Sequence, residues 1–598
     1  MMDTFGGHED ILSGSPDGFV DLQPQDYCYI DCETSKMLEL VQNNVEPSNK
    51  KHCLFGLLNA YTSTTTGAKL LKETISRPLN HLPTLEHRLD CIDFLVQRVD
   101  VLGTITNCVK KFGSGVDLES VIPCLVTLYK SRSTGIDIAE KRLEALVTLE
   151  ALVSQVVPLI GALDTNQETL NVYKIALSDP AYDVILNIIY EIVETDIRVG
   201  SSKRSKMFRI KQGVESVFDI ARSTYNAAIN DLEQYVREIN NEDGLCWKLN
   251  YNTSRGYYLF MDSGSVPKSF EFPPRYIRVQ RTHNAITCTT RDLMQSNVRA
   301  NVSYENSMKL ANEILMNTIG AIMDHVNALH KLVDIIGLLD LTTSFAKFVV
   351  HNQTPMVRPK FTASETIIIR ARHPVLESVL AVNGLSLVPN DIVMNVCSQN
   401  FLLITGPNMG GKSVYLKQVG VIQVMAQLGC YVPAETAHIK LMNQIVARSG
   451  TSDDNHSNCS SFMWEMKGIA SALKQDEVSR NASVLYIIDE VGRGTSIDDG
   501  ASYSFAIAEE LASRRYCFTA FATHFEQVFA LTRLYGNIQA HHFKYEDDDA
   551  ESPGRLQISH NLVSGFAEKE HYGIKLAEAC GLPSEILIAA KLSAEINI

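Results

Sequence analysis

Long apolar runs are what this sequence most visibly lacks. A membrane span needs ~18 consecutive apolar residues, and stretches such as that near 335–341 are interrupted by Asp and Lys well short of that. No opening segment joins a basic start, an apolar run and a small-residue cleavage site, so no secretory signal is visible. A cysteine framework is missing as well. The 13 Cys are scattered, and only Cys28 and Cys32 lie close together, which points to reduced thiols in cytosol or nucleus. A zinc site at that pair would need two further ligands at suitable spacing, and none is evident. Net positive charge is absent too: −15 overall argues against a generally sticky nucleic-acid binder, though not against a local basic surface. No tandem repeat is visible. What remains is ordinary globular composition, 45% apolar and 21% charged over 598 residues, long enough for several domains. The expectation is a soluble chain with no membrane partner.

Residues 1–26 are rich in Gly, Asp and Ser and read as a disordered tail. Helical patterns run over 82–197. Val214, Val217, Ala221, Tyr225, Ile229, Leu232, Val236 and Ile239 keep a 3–4 spacing that predicts one long amphipathic helix. Ala311, Leu315, Ile322, Val326, Leu329, Val333 and Ile336 predict a second. Between them the runs WKLNY from Trp247 and GYYLFM from Gly256 are short, aromatic and separated by turn residues, with Gly264, Pro267, Pro273 and Pro274 following. Two long helices would then carry a small β-rich tip on arms of ~40 Å; helices packed as a plain bundle would show the same periodicity. Over 248–299 eight basic residues (Lys248, Arg255, Lys268, Arg275, Arg278, Arg281, Arg291, Arg299) face three acidic ones (Asp262, Glu271, Asp292), a local +5 in an acidic chain. From about Phe361, short buried strands at 366–369, 401–404, 484–488 and 518–522 alternate with helices, which predicts a mostly parallel α/β domain. The acidic run at 546–551 reads as a solvated loop.

Gly406, Pro407, Asn408, Met409, Gly410, Gly411, Lys412 and Ser413 match GxxxxGK[ST] in full, between a predicted strand and a predicted helix. In that context backbone N–H groups converge on phosphate oxygens, and the helix N-terminus adds a favourable field. Lys412 would place a cation on the β and γ phosphates, and Ser413 would offer a hydroxyl to Mg²⁺. The apolar run 484–488 ends in Asp489 and Glu490. Adjacent acids at a buried strand end are costly unless used; with ATP and Mg²⁺, Asp489 would hold the metal through water and Glu490 would orient and deprotonate the attacking water. His524, after the strand at 518–522, would sense the γ-phosphate; a lone His there is usually structural, but this one is the fourth matching element in order. Ser460–Ser461 and the GRGT of 492–495 correspond to segments that face a partner subunit's nucleotide in ABC-class ATPases, which implies a dimer.

In this order and spacing GPNMGGKS, SSFMWEM, IIDEVGRGTSIDDG and FATHFEQ resemble the ATPase domain of the MutS family. Upstream, IDCET from Ile30, LEL from Leu38 and LFGLLN from Leu54 resemble the start of its core and lever; Gly256, Tyr257 and Tyr258 resemble its clamp; and Tyr572, Gly573 and Ile574 resemble its C-terminal brace. The resemblance covers nearly the whole chain from Tyr27. It implies a multidomain α and α/β fold: a helical core and lever (27–243), a β-rich basic clamp (244–302), a returning lever helix (303–360), an ABC-class P-loop ATPase domain (361–545) and a C-terminal strand and helical dimerisation brace (546–598). Lys248, Arg255, Lys268, Arg275, Arg278 and Arg281 then become candidate DNA contacts. FDIARSTY from Phe218, SRGY from Ser254, YLKQV from Tyr415, MAQLGCYVPA from Met425 and EHYG from Glu570 are similar to the meiotic type of the family. Members of that type pair with the family's fifth homologue as heterodimers, clamp branched double-stranded recombination intermediates including Holliday junctions, and promote crossover and chiasma assembly on meiotic chromosomes in the nucleus.

Departures from the family pattern matter. Mismatch readers carry a Phe-x-Glu wedge in an N-terminal domain, whereas here Phe566 and Glu568 form the only such pair, after the ATPase. Mismatch and connector domains are thus expected to be missing. Leu387 stands where many relatives place a phenylalanine beside adenine, so base stacking should be weaker, and Val414 replaces a usual Thr. Two competing readings stay open: a mismatch-repair homologue, and a structural subunit that binds ATP without turnover. No carboxylate cluster supports a nuclease, and the clamp-like insert and brace have no place in a transporter ATPase.

Overall fold

The computed structural model describes residues 9–11, 19–44, 51–113, 117–133, 135–165, 168–194, 209–252, 255–267, 270–407, 410–450, 461–478, 482–547, 556–566, 574, 577 and 581–596. They form two compact units. One comprises Met1–Val109, Ala162–Ala176 and Ile336–Ile598, and the other Lys110–Gly161 and Leu177–Ile335. Each unit thus gathers stretches far apart in sequence. Within the segment expected as a tail, β1 (Glu9–Ile11) pairs antiparallel with β2 (Phe19–Asp21), and Leu22 is buried. The next strand, β3 (Tyr29–Ile30), belongs to the large sheet described below. Cys28 is buried and Cys32 exposed.

The second unit is built on two paired helices, α1 (Ser216–Asp243) and α2 (Arg291–Met323). The buried stripe of α1 is Phe218, Arg222, Tyr225, Ile229, Leu232, Val236 and Ile239. The expected stripe therefore holds from Tyr225 onward. Its N-terminal end is shifted by one residue, since Val217 is 53% exposed and Phe218 fully buried. Each buried apolar side chain of this stripe contributes on the order of 2 kcal/mol. Gly244 ends α1 in a left-handed conformation, φ 64°. The second expected pattern divides in two: α2 ends at Met323, a turn closes through the His325 N–H to the Ile322 carbonyl, and the helix Val326–His351 follows.

Between α1 and α2 lies a four-stranded antiparallel sheet: β4 (Lys248–Asn252), β5 (Gly256–Asp262), β6 (Ile277–Arg281) and β7 (Ala285–Thr289), in the order β4-β5-β7-β6. Alternation puts Leu259, Met261, Ile286 and Cys288 on the face packed with Trp247, Tyr276 and the helices. One segment of this unit corrects the sequence reading. Ile136–Leu163 is, by length and composition alone, apolar enough to cross a membrane. Its residues instead form two helices, Ile136–Val153 and Val156–Leu163, and Leu143, Leu146, Leu149 and Leu152 are buried.

The first unit holds two further sheets. Strands β8 (Lys360–Thr362), β9 (Glu365–Ala371), β10 (Asn390–Asn395) and β12 (Thr436–Lys440) make one, ordered β10-β9-β12-β8. The other contains β11 (Phe401–Thr405), β13 (Gln444–Ser449), β14 (Val484–Asp489), β15 (Phe518–Ala522), β16 (Ile538–Asp547) and β17 (Leu556–Ser564), ordered β17-β16-β11-β15-β14-β13-β3. All its neighbours are parallel except β16 and β17. Every residue of β11, β14 and β15 is buried, as expected for central parallel strands covered on both faces. The four strands anticipated at 366–369, 401–404, 484–488 and 518–522 fall within β9, β11, β14 and β15. The edge strand β3 comes from far upstream and continues through Asp31, whose carboxylate pairs with the buried Arg448 of β13. In such sheets ligands collect at the carboxyl ends of the strands, and there β11, β14 and β15 deliver the motif residues. Near the C-terminus the helix Ser584–Ile596 leaves Ile586, Ile588 and Leu592 exposed, while Tyr572 and Gly573 lie outside the described residues.

Candidate functional site

The loop after β11 turns at Gly406 (φ 137°), passes Pro407, whose carbonyl accepts from the Gly410 N–H at 3.1 Å, and enters helix α3 (Lys412–Gln427) through Gly411 (φ 112°). Both glycines adopt backbone conformations that side chains disfavour. A Cβ on Gly406 would also come within 3.1 Å of Phe543. Asn408 and Met409 lie outside the described residues. Lys412 is only 4% exposed. Its ammonium donates to the carbonyls of Gly406 (2.8 Å) and Pro407 (3.0 Å), lies 3.1 Å from His524 Nε2, and pairs with Glu490 at 3.2 Å. Burial pushes its pKa down, and the charge of Glu490 only partly offsets this.

Glu490 is the hub. Its Oε1 meets Lys412 and, at 2.6 Å, His524 Nε2; its Oε2 meets the Arg493 guanidinium at 2.5 Å. Burial alone would raise its pKa, but the hydrogen bond from His524 and the charges of Lys412 and Arg493 outweigh it and bring the carboxyl down to about 2. The residue sits at φ 56°, unusual for a side-chain-bearing residue, with its N–H held by the Ala522 carbonyl at 2.9 Å. His524 follows Thr523, whose N–H bonds the Ile404 carbonyl and whose hydroxyl accepts the Phe525 N–H. Glu490, Arg493, Thr523, His524 and Phe525 line a cavity of about 260 Å³.

Asp489 ends β14, with Ser413 close enough to its carboxyl to favour the charged form. Burial raises its pKa, the Glu490 charge adds to this, and Ser413 opposes it. Its Oδ1 is buried without a partner among the described residues. An orphaned carboxylate oxygen beside a hydroxyl is a donor set that suits a hard divalent cation such as Mg²⁺.

Three further features adjoin this centre. Helix α4 (Ser461–Val478) starts at Ser461, and its Glu465 carboxylate accepts the Gly492 N–H at 2.6 Å. This ties the segment 492–495 to α4. Gly492 adopts φ 93°, and a Cβ there would fall 2.6 Å from the Gly500 carbonyl oxygen. Leu387 is half-buried in the coil before β10. Three residues on, Asn390 bonds the His560 carbonyl and the Leu562 N–H, while His560 Nδ1 lies 3.1 Å from the Gly410 carbonyl oxygen. Sequence reasoning passed over Glu465 and His560. Glu465 stood inside a quoted motif with no role assigned, and β17 brings His560 to the phosphate loop from 150 residues away.

In the other unit the basic candidates separate. Lys248, Arg255 and Arg278 are exposed and, among the described residues, form no ion pair. Arg275 is committed to Glu242 (2.7 Å) and Asp243. Arg281 donates to the carbonyls of Pro267 and Phe270 and lies over the Phe272 ring. Lys268 lies outside the described residues.

A family model described as MutS domain III matches residues 33–346, and one described as MutS domain V matches residues 402–596. MutS protein homolog 4 of Homo sapiens is 32% identical over 571 residues, 94% of this chain and 59% of that protein. DNA mismatch repair protein MSH4 of Arabidopsis thaliana is 31% identical over 593 residues, covering 95% and 72%. DNA mismatch repair protein MutS of Caldicellulosiruptor saccharolyticus is 30% identical over 573 residues, covering 95% and 62%. The chain spans about six-tenths of the length of the human relative. Matches to two MutS domain models and to homologue-four relatives over most of the chain agree with the motifs, and the chain belongs to the MutS family.

Proposed function

We propose that this chain is an ATP-hydrolysing, DNA-binding subunit of a MutS-type heterodimer acting on branched intermediates of meiotic recombination. The observation that carries the ATPase part is the convergence of Lys412, Glu490 and His524 at the ends of β11, β14 and β15, within 3.2 Å of one another. A triphosphate would draw Lys412 from the carbonyls of Gly406 and Pro407 onto the β and γ phosphates. Ser413 and Asp489 would hold Mg²⁺, which neutralises charge on those phosphates. Glu490 takes the proton of the attacking water, while His524 holds its Oε1 and registers the γ-phosphate. Ser461 and the segment 492–495 face the nucleotide of a partner subunit, here the family's fifth homologue. The homologue-four relatives support the meiotic reading, and its setting is the nucleus, on meiotic chromosomes.

The exposed cations Lys248, Arg255 and Arg278 on the four-stranded sheet supply phosphate contacts, so affinity falls steeply with salt and depends little on sequence. The test uses the purified heterodimer: steady-state ATP turnover, and binding to a four-way junction, a G·T duplex and a matched duplex. Turnover with preference for the junction is expected. A relative named as a mismatch repair protein at 30% identity keeps one rival in view, and preference for G·T over the matched duplex would replace the recombination reading with it. Binding of ATP without turnover would reduce the chain to a structural subunit.

A further inference from the structure

Two asparagines, one on each long helix of the second unit, do work that a neighbouring strand would ordinarily do. The Asn297 side chain on α2 accepts the Tyr257 N–H at 3.1 Å and donates to the Tyr257 carbonyl at 3.1 Å. Asn240 on α1 accepts the Trp247 N–H at 2.7 Å and donates to the Trp247 carbonyl at 2.8 Å. In both, one amide side chain imitates the paired donor and acceptor of a strand.

The sheet register explains why Tyr257 needs this. Strand β5 pairs with β7 from Asp262↔Ala285 to Leu259↔Cys288. Two residues further on, Tyr257 would face Thr290, which has left the sheet to cap α2. An unpaired buried backbone group costs roughly 1–3 kcal/mol, and Asn297, buried and two turns into the helix, fills the place. Gly256 is the companion of this arrangement: its φ is 75°, and a Cβ there would lie 2.4 Å from the Asn297 amide. Trp247 flanks the edge strand β4, where Asn240 reaches across the Gly244 turn. The Tyr225 and Tyr257 hydroxyls (3.0 Å) and those of Tyr235 and Thr290 (2.8 Å) add ties of the same kind.

We propose that Asn240 and Asn297 are positioning residues: they complete the backbone ladders of β4 and β5 and make the sheet a rigid extension of α1 and α2, so that its cations meet DNA phosphates in one fixed arrangement. This rests on the reading of the sheet as a DNA-contacting element, and the experiment separates the two. In the full heterodimer, Asn297→Asp keeps the acceptor and removes the donor. Hydrogen exchange across 248–262 is expected to rise at least tenfold while α1 and α2 keep their protection, and the DNA dissociation rate is expected to rise severalfold with an unchanged salt slope, because the same phosphates are contacted.

Unchanged exchange in the variant overturns the joint. Faster exchange with unchanged dissociation overturns its role in DNA binding. Should the wild-type heterodimer bind no DNA, the DNA reading of the sheet and the positioning role built on it fail together, whereas the exchange measurement still decides whether the asparagines form a joint. If Asn297→Asp does not fold, Asn240→Ser, at a half-buried site, is put through the same two measurements.

Discussion

His524 Nε2 holds the Oε1 atom of Glu490 at 2.6 Å, and Lys412 reaches the same oxygen at 3.2 Å. One carboxylate oxygen thus joins the phosphate loop to the ends of two other strands. Removing the carboxylate should therefore separate binding from chemistry. Glu490→Gln is expected to retain ATP binding and lose turnover by ~10²–10⁴-fold. Lys412→Ala is expected to lose both. Fluorescent-nucleotide binding beside steady-state hydrolysis reads the difference, and a Glu490→Gln heterodimer subunit that still turns over at the normal rate would exclude the proposed base.

The same carboxyl predicts a stability change with acid. Its pKa falls from 4.5 to about 2 on folding. Such a group stabilises the fold fully above pH 4.5, and that contribution is lost as pH drops toward 2, because the unfolded chain binds the proton first. The stability gap between wild type and Glu490→Gln should accordingly narrow over that window in denaturant titrations.

Lys440 makes the opposite prediction. It is 6% exposed, donates to the Ser483 hydroxyl, and lies 5.8 Å from the Phe518 ring centroid. Burial brings its pKa from 10.5 down to about 8. Below pH 8 both states are protonated and the folded state bears the penalty in full; from pH 8 to 10.5 the native state has released its proton, so stability rises. Lys440→Met should be more stable than wild type at pH 7, by about 3 kcal/mol if the whole shift is recovered. That advantage should shrink toward pH 10. A thermal midpoint lower than wild type at pH 7 would show that the Ser483 bond and ring contact outweigh burial.

These sites differ in how far the sequence announces them. The strands ending in Thr405, Asp489 and Ala522 are wholly buried apolar runs, and burial on both faces leaves a signal that needs no partner to read. The phosphate loop is equally plain, because its chemistry lies in eight consecutive residues. What stayed hidden depends on contacts between distant segments: Tyr29 joining β13 as a sheet edge, His560 meeting the Gly410 carbonyl, and Arg275 spent on Glu242 and Asp243. The stretch Ile136–Leu163 also went unremarked, because Glu, Lys and Arg interrupt its apolar residues, of which Leu143, Leu146, Leu149 and Leu152 are buried.

Gly256 was legible only as part of a resemblance, and its physical reason can be tested alone. Gly256→Ala brings a Cβ onto the Asn297 amide at a backbone φ of 75°. The strain is expected to lower stability by roughly 1–3 kcal/mol, and to open 248–262 to hydrogen exchange ahead of the rest of the chain. Gly264 offers the control, since a Cβ there meets nothing within 4 Å; Gly264→Ala should leave both measurements unchanged.

Charge alone does not rank the basic residues of the four-stranded sheet. Arg275 is bound to Glu242 and Asp243 at the end of α1, so its charge is already met and its task is to hold β6 to that helix. Lys248 and Arg278 are exposed and form no ion pair among the described residues. Each phosphate contact adds ~0.9 to the slope of log affinity against log salt. Lys248→Ala and Arg278→Ala should each lower that slope by about 1 and weaken binding to all duplexes alike. Arg275→Ala should leave the slope unchanged and lower the thermal midpoint instead. Titrations from 50 to 200 mM salt with junction DNA separate these outcomes, and a slope reduced by Arg275→Ala would place that guanidinium on a phosphate after all.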